Sequence, residues 1–167
     1  MWVRIKETVG KVKQKRNDIL ILVLWSVLIA FMVVKTYWTA YQTANRLVYF
    51  KPAHPSYDLS NVNAVDLLII AIASFIVGIS LSDAKTLFYG YIFSLLLAFI
   101  LCVIYISLYV WYVLDYGPLF SLMPYGWEWA FFIATSIVFA LMFPWIFCIC
   151  LVSLAVSSLL RSWITWS

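Results

Sequence analysis

The sequence predicts an all-α integral membrane protein: four transmembrane helices in an up-down bundle, with a short amphipathic N-terminal helix. Three observations carry that expectation. Residues 129–160, between Glu128 and Arg161, contain no Asp, Glu, Lys, Arg or His. As a helix they would span about 48 Å, against roughly 30 Å for the hydrocarbon core of a bilayer, and no small soluble domain could cover them. Two-thirds of the 167 residues are hydrophobic (66%) and only 11% are charged, the profile of a polytopic membrane chain rather than a soluble one. Third, the basic residues are gathered at one terminus, where they suit an anionic membrane surface better than nucleic acid. The length suggests a single domain, residues 1–167.

Residues 1–18 are basic and patterned. Trp2, Ile5, Val9 and Val12 fall on one helical face, with Arg4, Lys6, Lys11, Lys13, Lys15 and Arg16 around it. That is the pattern of a short helix lying on a membrane surface, so Trp2 and these six basic residues are expected membrane-surface contacts. The first span is expected over about residues 19–38. A basic flank before an apolar run also resembles a signal peptide, but the run is long and no clean small-residue cleavage site follows.

Residues 39–63 form the longest connection, with Pro52 and Pro55 flanking the chain's one histidine, His54. Its first part, through Phe50, could either continue the first helix or lie along the interface. The second span is expected over about residues 62–82. Ala64, Ala71, Ser74, Gly78 and Ser82 lie within about 80° of one another on a helical wheel. Such a small-residue stripe lets backbones approach closely and is the expected helix-packing surface. Asp66 points roughly the other way, and depth alone would pair it with Lys35 at the end of the first span.

The short turn at residues 80–86 makes the second and third spans an antiparallel hairpin. The third is expected over about residues 87–114, which carry no charge; Tyr105, Tyr109 and Tyr112 sit toward its far end, where phenolic groups meet water or a partner. Residues 115–127 form a compact loop with Gly117-Pro118 and Pro124-Tyr125-Gly126 turn signals. The fourth span is expected as one bent helix over about residues 128–160, kinked at Pro144, with Trp127 and Trp129 at one interface and Trp163 and Trp166 at the other. The positive-inside rule places both termini in the cytoplasm. The N-terminal basic residues, Lys85 and Arg161 then share that side, leaving Lys35, Arg46 and Lys51 on the other.

Chemistry is hard to place on this chain. One histidine between prolines cannot by itself supply a haem, copper or di-iron site. Cys148 and Cys150 are two residues apart and point about 200° from each other on a straight helix, which excludes a simple two-thiolate site. The sequence has no metalloprotease, serine-hydrolase or phosphate-loop motif. No catalytic, metal or cofactor residue is therefore assigned, no cofactor of its own is expected, and a bound lipid is the one ligand the composition suggests. Aromatic residues make up 19% of the chain, more than four helices can bury among themselves. The expected role is a non-catalytic accessory subunit of a larger membrane complex, of the respiratory-oxidase or membrane-monooxygenase kind, in the cell membrane. Its expected partners are other integral membrane subunits and lipids, not nucleic acid. A small homo-oligomeric transporter or channel using Lys35 or Asp66 is the alternative. A third reading is an enzyme completed by a partner, with His54 or Glu128 contributing ligands.

Overall fold

The computed structural model describes residues 2–45, 63–81, 83–113 and 126–166. Among them every regular element is helical: α1 (Trp2–Asn45), α2 (Ala64–Ser80), α3 (Ala84–Leu108) continuing into a π-helical turn (Tyr109–Val113), α4 (Trp127–Met142) and α5 (Trp145–Trp166). Among the described residues three helical stretches are long and apolar enough to cross a membrane: 14–39, 85–112 and 145–163. Two shorter apolar helices, α2 and α4, accompany them.

Two expectations about helix boundaries are corrected. The basic N-terminal segment is not a separate helix. It runs without a break into the apolar run, giving a helix of 44 residues; as one of the two alternatives for the following segment had it, the helix continues to Asn45. Lys15 and Arg16 are exposed on it, and the side chains of Trp2, Arg4, Lys6, Lys11 and Lys13 lie outside the described part. The local reason is that Gly10 is the sole glycine or proline in the first 45 residues, and one glycine costs only about 1 kcal/mol.

The expected single helix over 128–160 is two helices. Pro144 has no N–H to donate back to Ala140, and it drives the residue before it out of helical conformation. Phe143 accordingly takes φ −105° and ψ 135°, and its N–H closes α4 on the Phe139 carbonyl. The Pro144 carbonyl then opens α5 by accepting from Cys148 N at 2.9 Å. At that position a missing N–H costs nothing. The start of α4 is set by Gly126, whose φ of +47° suits glycine.

The end of α2 nearer Asp66 is capped by Asn63, whose side chain accepts from Val65 N at 3.1 Å. Asp66 in the first turn also favours the positive end of the helix dipole.

Interhelical contacts fix the directions. Leu22 meets Gly90 and Ser94, Ala30 meets Cys102, and Trp38 meets Tyr105, so α1 and α3 are parallel. Trp25 meets Ser74 and Lys35 meets Asp66, so α1 and α2 are antiparallel. Ser74 meets Cys150, Gly78 meets Ser157, and Leu81 meets Arg161, so α2 and α5 are parallel. α4 packs mainly on α3, through Ala130, Ala134, Val138, Leu141 and Met142. One end of the molecule therefore gathers Leu81, Asp83, Lys85 and Arg161, and the other gathers Lys35, Asn63 and Asp66.

Candidate functional site

The polar side chains inside the helix cluster form a seam that runs from one end of α2 to the other. At the Asp66 end, Lys35 Nζ lies 2.6 Å from Asp66 Oδ1. The carboxylate side chain is only 6% exposed, whereas the lysine side chain is 48% exposed. α1 delivers the ammonium from a long flexible stem, which leaves it half-exposed while it contacts a carboxylate held inside.

Half-way along α2, three helices meet at Ser74, which is fully buried. Its Oγ accepts from Trp25 Nε1 at 3.2 Å, donates to the Ile70 carbonyl at 2.7 Å, and lies 3.5 Å from Cys150 Sγ. One turn further on, Gly78 touches α5 backbone-close: a Cβ built there would stand 1.8 Å from Ser157 Oγ and 2.9 Å from Ser157 Cβ. At the far end the Arg161 guanidinium donates to the Leu81 carbonyl, one of those that the end of a helix leaves without an internal partner. A parallel set joins the other helices. Ser94 donates to the Leu22 carbonyl (3.1 Å), Cys102 to the Ala30 carbonyl (3.5 Å), and Tyr91 to the Phe147 carbonyl (3.1 Å). Among the described residues no buried side-chain nitrogen or oxygen is left without a partner. Interhelical hydrogen bonds of this kind contribute on average about 0.6 kcal/mol each in a bilayer, so the seam acts through their number.

Near the Lys35–Asp66 end lies an aromatic cluster. Tyr109, at the start of the π turn, stands edge-on to Tyr37 (6.1 Å), tilted against Trp38 (4.8 Å) and stacked on Tyr105 (6.5 Å). Trp38 Nε1 donates to Tyr105 Oη at 3.2 Å. The three tyrosines expected to meet water or a partner thus separate: Tyr109 is buried, Tyr105 is partnered by Trp38, and Tyr112 is 72% exposed.

The sequence-derived residues are distributed as follows. Lys35 and Asp66 are in contact. The buried face of α2 is Asp66, Ile70, Ser74, Val77 and Gly78. Ser74 and Gly78 of the expected stripe belong to it, Ala71 is half-buried, Ala64 is exposed, and Ser82 lies outside the described residues. Pro144 is at the α4–α5 break. His54 also lies outside the described residues. Glu128 is exposed in the first turn of α4. Trp25, Tyr91, Ser94, Ser157 and the buried Asp18 were not singled out by sequence reasoning. For Trp25 a signal existed: a tryptophan in mid-span, away from both interfaces, must find an acceptor for its N–H.

Among the described residues no group of three His, Cys, Asp or Glu side chains comes together. What the arrangement offers is helix-to-helix adhesion by hydrogen bonds, close backbone approach and the Lys35–Asp66 ion pair. No family model, no curated protein and no solved structure matches this chain.

Proposed function

We propose that this chain is a non-catalytic helix-packing subunit of a larger integral membrane assembly. In this reading it crosses the cell membrane four times, with both termini cytoplasmic. The observation that carries the reading is where the buried polar side chains go. Trp25, Ser74, Tyr91, Ser94, Cys102 and the half-buried Arg161 each reach an atom of another helix or its end, whereas Ser26, Thr36 and Ser157 bond carbonyls of their own helix. Groups that bound a substrate or an ion would converge on a shared space; these are distributed along helix contacts, as adhesion requires. The outward surface suits partners or lipid: Phe131, Phe132, Phe139, Phe143, Trp145 and Leu159 are all exposed.

Four crossings are supported by the run of α4 and α5. At about 24 Å and about 33 Å, they follow one another across a single proline break. α2 is about 25 Å long, and the ion pair at one end and Arg161 at the other would hold it at matching depth. Lys85 and Arg161 share one end, which supports cytoplasmic placement of that end.

Extraction from native membranes in mild detergent is expected to give a particle well above the mass of one 19.3 kDa chain, with other membrane proteins at fixed stoichiometry. A monomer or homo-oligomer free of partners would overturn the subunit reading and favour a small transporter instead. Topology has its own test. In a cysteine-free background in intact cells, Ala64→Cys is expected to react with a membrane-impermeant maleimide. Arg16→Cys and Ser162→Cys are expected to react only after permeabilisation, and labelling of Ser162→Cys from outside would remove one crossing.

A further inference from the structure

We propose that the side of the molecule formed by α2 is fitted to a thin bilayer and takes phospholipids with short acyl chains in preference to long ones. The inference rests on the four-crossing reading above and needs no partner subunit. Two polar contacts hold α2 at its ends: Asp66 meets Lys35 of α1, and the Leu81 carbonyl meets Arg161 of α5. Along the helix axis these anchors stand about 22 Å apart. Charged groups are costly inside hydrocarbon, so both belong at the headgroup layers. The apolar side chains that α2 turns outward run only between them: Val65, Leu68, Ile72, Ile76 and Ile79 are each at least half exposed.

α3 differs. Its outward apolar side chains extend from Phe88 through Leu96 and Ile104 to Tyr112, about 36 Å along the axis. A hydrocarbon core of about 30 Å is therefore too thick for one side of the molecule and too thin for the other. A helix that is too long adapts by tilting. α2 has neither escape: it is too short to tilt, and it is held to a different neighbour at each end, which opposes sliding. Snorkelling adds little at the Leu81 end, because the Arg161 guanidinium is turned onto that carbonyl. The remaining response lies in the lipid. The hydrocarbon beside α2 thins, and shorter acyl chains do so at lower cost than longer ones.

The test uses the isolated full chain in a cysteine-free background, with a fluorophore on Ile72→Cys of α2 or on Ile100→Cys of α3. Contacts of α1 with both helices place these positions at similar depth. The vesicles mix a brominated phosphatidylcholine, which quenches the fluorophore, with dimyristoleoyl, dioleoyl or dierucoyl phosphatidylcholine. Relief of quenching reports which lipid sits beside the label. At position 72 the short dimyristoleoyl lipid is expected to displace the quencher about threefold better than the long dierucoyl lipid. At position 100 the order is expected to be level or reversed. Lys35→Met/Asp66→Leu releases one anchor without leaving a buried charge, and is expected to bring position 72 close to parity. The same order at both positions, an undiminished preference in that double variant, or a label at position 72 that no lipid quenches would overturn the proposal. Co-flotation with the vesicles reports insertion, and maleimide labelling of Ala64→Cys in cells reports the crossing, so failure of the four-crossing reading is recorded separately.

Discussion

Gly78→Val is expected to uncouple α2 from α5 and to be the most damaging single substitution in the helix cluster. The new Cβ alone would fall 1.8 Å from Ser157 Oγ, 2.9 Å from Ser157 Cβ and 3.2 Å from Leu154 Cδ2. Turning the serine hydroxyl aside relieves the first contact, not the second, because Ser157 Cβ is fixed to the α5 backbone. The helices must therefore separate. Overpacking of a close-packed interior costs about 1–3 kcal/mol, and separation here also stretches the neighbouring contact of Ser74 with Cys150. Gly78→Ala is expected to lose about 2 kcal/mol and Gly78→Val more than 3 kcal/mol, read from unfolding in mixed micelles. Ser157→Gly should restore most of the Gly78→Ala loss, since it removes the atoms in conflict. Gly90→Ala is the contrast: its Cβ would meet the Leu22 Cδ atoms at 2.7 and 2.9 Å, at the far end of a flexible side chain. A loss below about 1 kcal/mol is expected there. Equal losses at the two glycines would show that close approach of α2 and α5 does not set stability.

The helical class and the apolar stretches were legible because they depend only on long uncharged runs, and such runs have few alternatives in lipid. Finer features depend on what sits opposite, which one chain's wheel does not show. The small residues of α2 define a stripe, yet the buried face is centred about 80° away from it, on Asp66, Ile70 and Val77 as well as Ser74 and Gly78. Volume explains the shift: Trp25 of α1 and Ile70 fill the space toward α1, so the stripe's far edge, Ala64, is left exposed. The fourth apolar run shows the same limit in the backbone. A proline within a helix can be absorbed as a kink or can end one helix and cap the next. Pro144 does the second, which lets α4 lie on α3 while α5 lies on α2. Nothing in residues 128–160 read alone distinguishes the two outcomes. The π turn at Tyr109–Val113 is likewise decided by tertiary packing, where one ring, Tyr109, meets three others.

Lys35→Met is expected to destabilise the protein more than the double substitution Lys35→Met/Asp66→Leu. The single change leaves a carboxylate of 6% side-chain exposure without the ammonium 2.6 Å away. Breaking a wholly buried pair by removing one partner costs roughly 3–5 kcal/mol. Here the lysine side chain is 48% exposed and screened by its surroundings, so a loss of about 2 kcal/mol is expected. Asp66→Asn keeps a hydrogen-bond acceptor for Lys35 and should lose about 1 kcal/mol. In the double variant no buried charge remains, and leucine meets the apolar flank of α1; it should fall within about 1 kcal/mol of the unmodified chain. A thermodynamic cycle from unfolding in mixed micelles separates the terms, and simple additivity of the two single losses would show that the pair does not act as a unit. The consequence reaches beyond stability. With 17 residues, α2 is shorter than α3, and in the proposed four-crossing topology it has little length to spare across a bilayer of about 30 Å. The ion pair holds its Asn63-capped end against α1, and Arg161 holds the other against α5. Lys35→Met should therefore also make position 64 more accessible to the impermeant maleimide, because the unpaired Asp66 carboxylate draws that end of α2 toward water.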